Sequence, residues 1–141
     1  MKKVILLSLL PFTAMAASTS IQGIGNYQDW DLVCDNTGTC RMAGYQEGDG
    51  SEHPVSILFT RSAGEKAPVT AQLALLPDEL GNKTAEIILN GQSLGIVPNI
   101  SEDGNAKLSE KQTTELLTAL KGNASIEVIF GEFKEKVSDK G

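Results

Sequence analysis

Histidine, tryptophan and cysteine are scarce in this chain: His53, Trp30 and the pair Cys34 and Cys40 are all that its 141 residues contain. One imidazole and two thiols fall short of the about four ligands a structural zinc site takes, unless carboxylates are recruited. Aromatic residues make up only 5% of the chain, which leaves the core mainly aliphatic and omits the platforms that usually line a sugar-cleaving cleft. No Gly-x-Ser-x-Gly elbow and no Gly-rich phosphate loop occurs. Lysine and arginine nowhere cluster, no aromatic-basic stripe is present, and acidic residues outnumber basic ones 18 to 12. Such a chain repels phosphate backbones, so nucleic acid is excluded as a partner and anionic membrane surfaces are disfavoured. Internal repeats, heptads and long low-complexity linkers are also missing.

The first residues carry an address. Lys2 and Lys3 are a short basic start, Val4–Leu10 an apolar run, and Ala14-Met15-Ala16 a small-x-small cleavage pattern. Together they predict a signal peptide, residues 1–16, removed after Ala16 or at the next best site, Ala17. The run is far too short to span a bilayer. No transmembrane segment follows in the mature chain, and the expected location is periplasmic or secreted. Without Lys2 and Lys3 the charge falls from −6 to −8, which suits solubility and, more weakly, a cationic partner. Residues 17–141 then form a single β-rich exported domain.

Within it, Trp30, Leu32 and Cys34 alternate on one side of Asp35-Asn36-Thr37-Gly38-Thr39, and Cys40, Met42 and Gly44 alternate on the other. Asn36 and Gly38 tolerate positive φ at a turn. The pattern predicts a β-hairpin, and an even cysteine count in an exported chain predicts that a Cys34–Cys40 disulfide cross-links its arms. On a chain-entropy basis so short a loop contributes about 2 kcal/mol, and Trp30, on the face of Cys34, is expected to cover the bond. A redox pair would need Cys-x-x-Cys at a helix start, where the attacking thiol is acidified. Here the spacing is longer and the setting extended.

The run Asp29-Trp30, Cys34-Asp35-Asn36, Cys40-Arg41 and Gly44-Tyr45 resembles the N-terminal signature of a proteobacterial family of uncharacterised exported proteins, domain of unknown function 1176. Val55–Arg61, Ala63-Gly64 and Ala67-Pro68-Val69 fit the same pattern. The later stretch "LLTALKGNASIEVIFGE" is similar to the invasion-associated locus B family. The resemblance covers Tyr27 to Gly141. It implies an envelope location, a mostly β fold and no established activity. Members of the first family usually continue past a segment like "KEKVSDKG", so this chain is read as a short or truncated form of the domain.

Elsewhere "VSILFTR" and "VTAQLALL" alternate as strands, Leu58 adding apolar character to the second face. Asn90-Gly91 is a two-residue hairpin signal, and Pro98 with "NISEDGN" ends that element. These strands read as an antiparallel meander. "SEKQTTELLTALKG" predicts the one helix, with Ser109 and Gln112 as a capping box and Gly122 as its C-terminal stop. "SIEVIFGEF" is a strand, and "KEKVSDKG" a charged, frayed tail. The fold class expected is mainly β (α+β): an antiparallel β-sandwich or curved sheet with hairpins and one late α-helix closing an end.

Two function classes are compatible with these residues. The favoured one is a non-catalytic, cofactor-free domain that binds an envelope protein, with strand addition at a hairpin edge as a mode, Arg41 or Arg61 anchoring an acidic group, and Trp30 and Tyr45 as binding or structural aromatics. The alternative is a small periplasmic enzyme, either a hydrolase through His53 with Ser51 or Ser56 and Glu52 or a thiol oxidoreductase through Cys34 and Cys40. Adjacency in a loop builds neither a fixed tautomer nor an oxyanion hole, and His53 is expected to be a solvent-exposed loop residue. Glu47, Asp49 and Glu52 gather three carboxylates, but their spacing misses the EF-hand pattern. No metal is expected there. A third possibility is a fragment of a longer domain without independent function.

Overall fold

The computed structural model describes residues 24–48, 52–76 and 84–141. The expected signal peptide and its cleavage sites, and Asp49 and Ser51, lie outside these residues. Ten strands and one helix follow in order: β1 (Ile24–Tyr27), β2 (Trp30–Cys34), β3 (Cys40–Tyr45), β4 (Val55–Arg61), β5 (Val69–Leu75), β6 (Ala85–Leu89), β7 (Gln92–Val97), β8 (Asn105–Lys107), α1 (Glu110–Ala119), β9 (Ile126–Phe130) and β10 (Phe133–Val137). The mainly β class expected from the strand patterns is the one found. All the pairings are antiparallel, in a six-stranded sheet ordered β1-β2-β3-β4-β5-β8 and a four-stranded sheet ordered β10-β9-β6-β7.

The single meander expected from hairpin signals holds only through β5. The Asn90-Gly91 turn forms as read, with φ of 50° and 80° at its two residues. Yet the hairpin it closes belongs to the second sheet, and β8 then returns to pair with β5. Part of the "SEDGN" loop is thus structural. Leu75 N donates to Gly104 O at 2.9 Å. A Cβ on Gly104 would stand 1.9 Å from Leu75 O, and its φ is +77°, so only glycine allows this approach.

Alternation places the core. Val55, Ile57 and Phe59 of β4, Ala71, Leu73 and Leu75 of β5, and Ile126, Val128 and Phe130 of β9 are all buried, and they belong to one continuous apolar cluster drawn from both sheets. Period-2 side chains on one face of each sheet therefore meet across a common interior, the arrangement of a sandwich.

The helix starts as its sequence dictates. Ser109 Oγ accepts from Gln112 N at 3.2 Å, and Gln112 Oε1 accepts from Ser109 N at 3.0 Å. Gln112 does more than cap: buried in the interior, its amide donates to the carbonyls of Leu94, Gly95 and Ile96 at 3.3–3.4 Å. The register of β6 against β7 shifts between Ile87 and Ile88, opposite this segment. A single side chain thus satisfies carbonyls at an irregular stretch of β7 as well as the helix start. At the other end the C-cap is Leu120. Gly122 stands two residues further on, its N donating to Ala119 O at 3.1 Å, and it is not the residue that stops the helix.

"KEKVSDKG" is not a frayed tail. Phe133–Val137 forms β10, and Val137 and Ser138 are fully buried. Glu47 N donates to Lys136 O at 2.8 Å, and Ser138 N donates to Tyr45 O at 2.9 Å. The chain leaving β3 therefore runs alongside β10, and this seam joins the two sheets. The partners lie about ninety residues upstream, beyond the reach of any local pattern.

Candidate functional site

The cysteine hairpin forms as read. Cys34 and Cys40 are direct register partners of β2 and β3, with Cα atoms 4.0 Å apart and an S–S bond of 2.01 Å. Asp35 organises the turn between them. Its Oδ1 accepts from Thr37 N at 2.9 Å, Thr37 Oγ1 at 2.5 Å and Thr39 N at 3.2 Å, while Oδ2 accepts from Arg41 Nη1 at 3.3 Å. Led by the Thr37 hydroxyl, these donors hold the Asp35 carboxyl at about 2, against an ordinary 3.8. Arg41 is thus engaged across the hairpin with Asp35.

Trp30 does not lie over the disulfide. Its ring covers Gly44, its partner in β3, where a Cβ would stand 2.2 Å from the indole. Nε1 donates to Ser138 O at 2.9 Å, and the ring stacks on Phe59 with centroids 6.0 Å apart. Cys34 lies four strand residues further on, about 13 Å at the usual rise. The indole instead pins the final segment to the six-stranded sheet. Around it, Asp29 N donates to Lys140 O at 3.2 Å, Ser138 Oγ donates to Asp29 Oδ2 at 2.5 Å, and Asp139 Oδ2 accepts from Ala124 N at 3.0 Å.

The four aromatic and basic residues singled out from the sequence are not brought into one site. Strand parity puts Trp30 and Arg61 on the inner face of the six-stranded sheet, with Cys34 and Cys40. Arg41 and Tyr45 project from the outer face, with Asp31, Val33, Ala43 and Leu58. There the outer surfaces of β1–β3 form a concavity lined by Ile24, Asn26, Asp31, Val33, Arg41 and Tyr45. Ile24, Val33 and Tyr45 are 76%, 47% and 44% exposed. An uncharged edge strand, Ile24-Gly25-Asn26-Tyr27, borders it. Sequence reasoning passed over Ile24 and Val33, although Val33 breaks the alternation of Trp30, Leu32 and Cys34 by being apolar on the other face.

His53 is half-buried, not solvent-exposed, with its ring centroid 3.8 Å from that of Phe133. The reason is again the late strand β10, which carries Phe133 beside a loop eighty residues earlier. Ser56 sits within β4, paired with Tyr45 and Ala74. In the acidic loop, Glu47 accepts from Lys136 Nζ at 2.5 Å and Lys140 Nζ at 3.5 Å. The Lys136 hydrogen bond holds its carboxyl below the ordinary range, and Glu47 in turn raises Lys136. Among the described residues no three His, Cys, Asp or Glu side chains come together as a metal-holding group, and no helix is long and apolar enough to cross a membrane.

Comparison with curated proteins and with solved structures yields no match. A family model matches residues 25–141, the span that holds the disulfide hairpin, both sheets and the helix, and its family is described as protein of unknown function (DUF1176). The likeness carried by the cysteine segment thus extends through nearly all of the described fold, and the chain belongs to the DUF1176 family of proteins of unknown function.

Proposed function

We propose that this protein is a non-catalytic domain, exported to the periplasm or beyond, that holds a protein partner of the envelope on the outer face of β1–β3. The observation that carries the reading is the exposed apolar group Ile24, Val33 and Tyr45 beside β1, the edge strand of the six-stranded sheet among the described residues. Single exposed apolar residues need no explanation, but three around one concavity at a strand edge suit strand addition followed by side-chain docking. β1 carries no lysine, proline or charge to discourage such pairing. The acid excess of the chain favours a basic partner. Export rests on the Lys2-Lys3, Val4–Leu10 and Ala14-Met15-Ala16 pattern. The envelope setting in a proteobacterium rests further on reading the pattern of residues 116–132 as similar to invasion-associated locus B proteins.

A photo-crosslinking residue placed at position 33 in living cells tests the binding reading, with position 121 at the end of the helix as control. A discrete adduct from position 33 alone, lost in Asn26→Pro, is expected. Equal labelling from both positions would overturn it. Export is tested by fractionation with N-terminal sequencing, which should find Ala17 first in the periplasm, and uncleaved protein in the cytoplasm would contradict it. On this reading His53→Ala leaves every phenotype intact apart from folding.

A further inference from the structure

The four-stranded sheet packs on the inner face of the six-stranded sheet, and an apolar cleft lies where Leu117 of α1 and Leu120 after it face residues of β1–β4. It has two chambers. The larger, about 140 Å³, is walled by Leu32, Met42, Phe59 and Leu117, with Cys40 and Arg61 at its mouth. The smaller, about 100 Å³, is walled by Tyr27, Trp30, Met42 and Leu120 and ends at Asp139. Met42 stands between them and borders both. Its unbranched thioether is the side chain best able to swing aside and join two spaces into one channel.

The two ends differ in charge. Arg61 is the register partner of Cys40 and is exposed at the end of β4. Among the described residues it makes no ion pair, whereas Arg41 is held by Asp35. Asp139 marks the opposite end, fixed by the amide of Ala124. An anion is therefore drawn to the Arg61 mouth and repelled from the far end. Two small apolar spaces in a row, sharing Met42, suit a slender chain and not a ring system.

We infer that this cleft binds a single-chain fatty acid, with its carboxylate on Arg61 and its chain running past Met42 to Trp30. The site is separate from the outer face proposed for a protein partner. Its failure and the failure of that reading are therefore independent.

Trp30 is the only tryptophan and lines the cleft, so its emission reports occupancy directly. The purified, disulfide-bonded protein is titrated with decanoate below its micelle concentration, then with decanol and decyltrimethylammonium. Saturable, one-to-one change of Trp30 emission with decanoate is expected, with binding of the other two about tenfold weaker, the scale of one hydrogen-bonded charge. Arg61→Gln should remove the preference for decanoate without changing decanol binding, and Arg61→Lys should restore part of it. Thermal melts confirm that the variants fold. No saturable change, equal binding of decanol and decanoate, or an unaltered preference in Arg61→Gln would each overturn the inference.

Discussion

Asp35 shows how far one side chain can organise a turn. Four donors converge on its carboxylate, and they bind the ionised form better than the acid. With its pKa lowered from 3.8 to about 2, the unfolded chain takes up the proton before the folded one. Its contribution is therefore fully present above the unfolded value and is lost as pH falls toward 2. Asp35→Asn should be less stable than the parent at pH 6, and the gap should narrow between pH 4 and pH 2 in urea melts. A gap independent of pH would mean that geometry alone matters there. Gly44 is the second residue-scale test. The indole of Trp30 occupies the space a Cβ would need, so Gly44→Ala must displace either the ring or the strand. A loss of about 1–3 kcal/mol is expected from such overpacking, with a red shift of Trp30 emission as its hydrogen bond to Ser138 O breaks.

At the scale of elements, the helix and its contacts separate local from non-local physics. Ser109 acts within its own turn, so Ser109→Ala should cost about 0.5–2 kcal/mol, as for other N-caps. Gln112 has the same local role and also supplies the donor for three carbonyls of β7. Gln112→Ala leaves that irregular strand without its partner and should cost more than Ser109→Ala. Equal losses in thermal or urea melts would show that water replaces the amide. The cysteine hairpin is a self-contained element, its register, turn and cross-link all set within residues 30–45. That is why it was legible in advance, apart from the position of Trp30. The ring could be assigned a face by parity, but not the final segment it meets on that face.

At the scale of the molecule, two sheets share one aliphatic core, and few large rings fill it. Cross-linking the hairpin therefore matters to the whole domain. Replacing both Cys34 and Cys40 by Ala should lower stability by about 2 kcal/mol, read as an earlier urea midpoint with an unchanged slope. A change in slope as well would mean that the bridge alters how compact the denatured or the native chain is. The seam along Tyr45–Glu47 and Lys136–Ser138 is the other whole-molecule feature, since it closes the sandwich at one side.

What could be read in advance were features whose causes lie within a few residues. Alternation in β4, β5 and β9, the Asn90-Gly91 turn, the Ser109–Gln112 box and the facing cysteines are all short-range interactions, and they suffice for the class of fold and for the hairpin. Tertiary structure decided which sheet each hairpin joins, where the charged final segment is buried, and how the candidate residues divide between surfaces. Arg41 and Arg61 illustrate the last point: both looked like anchors, but one is held in the hairpin turn and the other stands at the mouth of a cleft. Trp30 and Ser138 meet across 108 residues. The closing of such a contact depends on the burial of the whole interior, and no stretch of sequence carries that information alone.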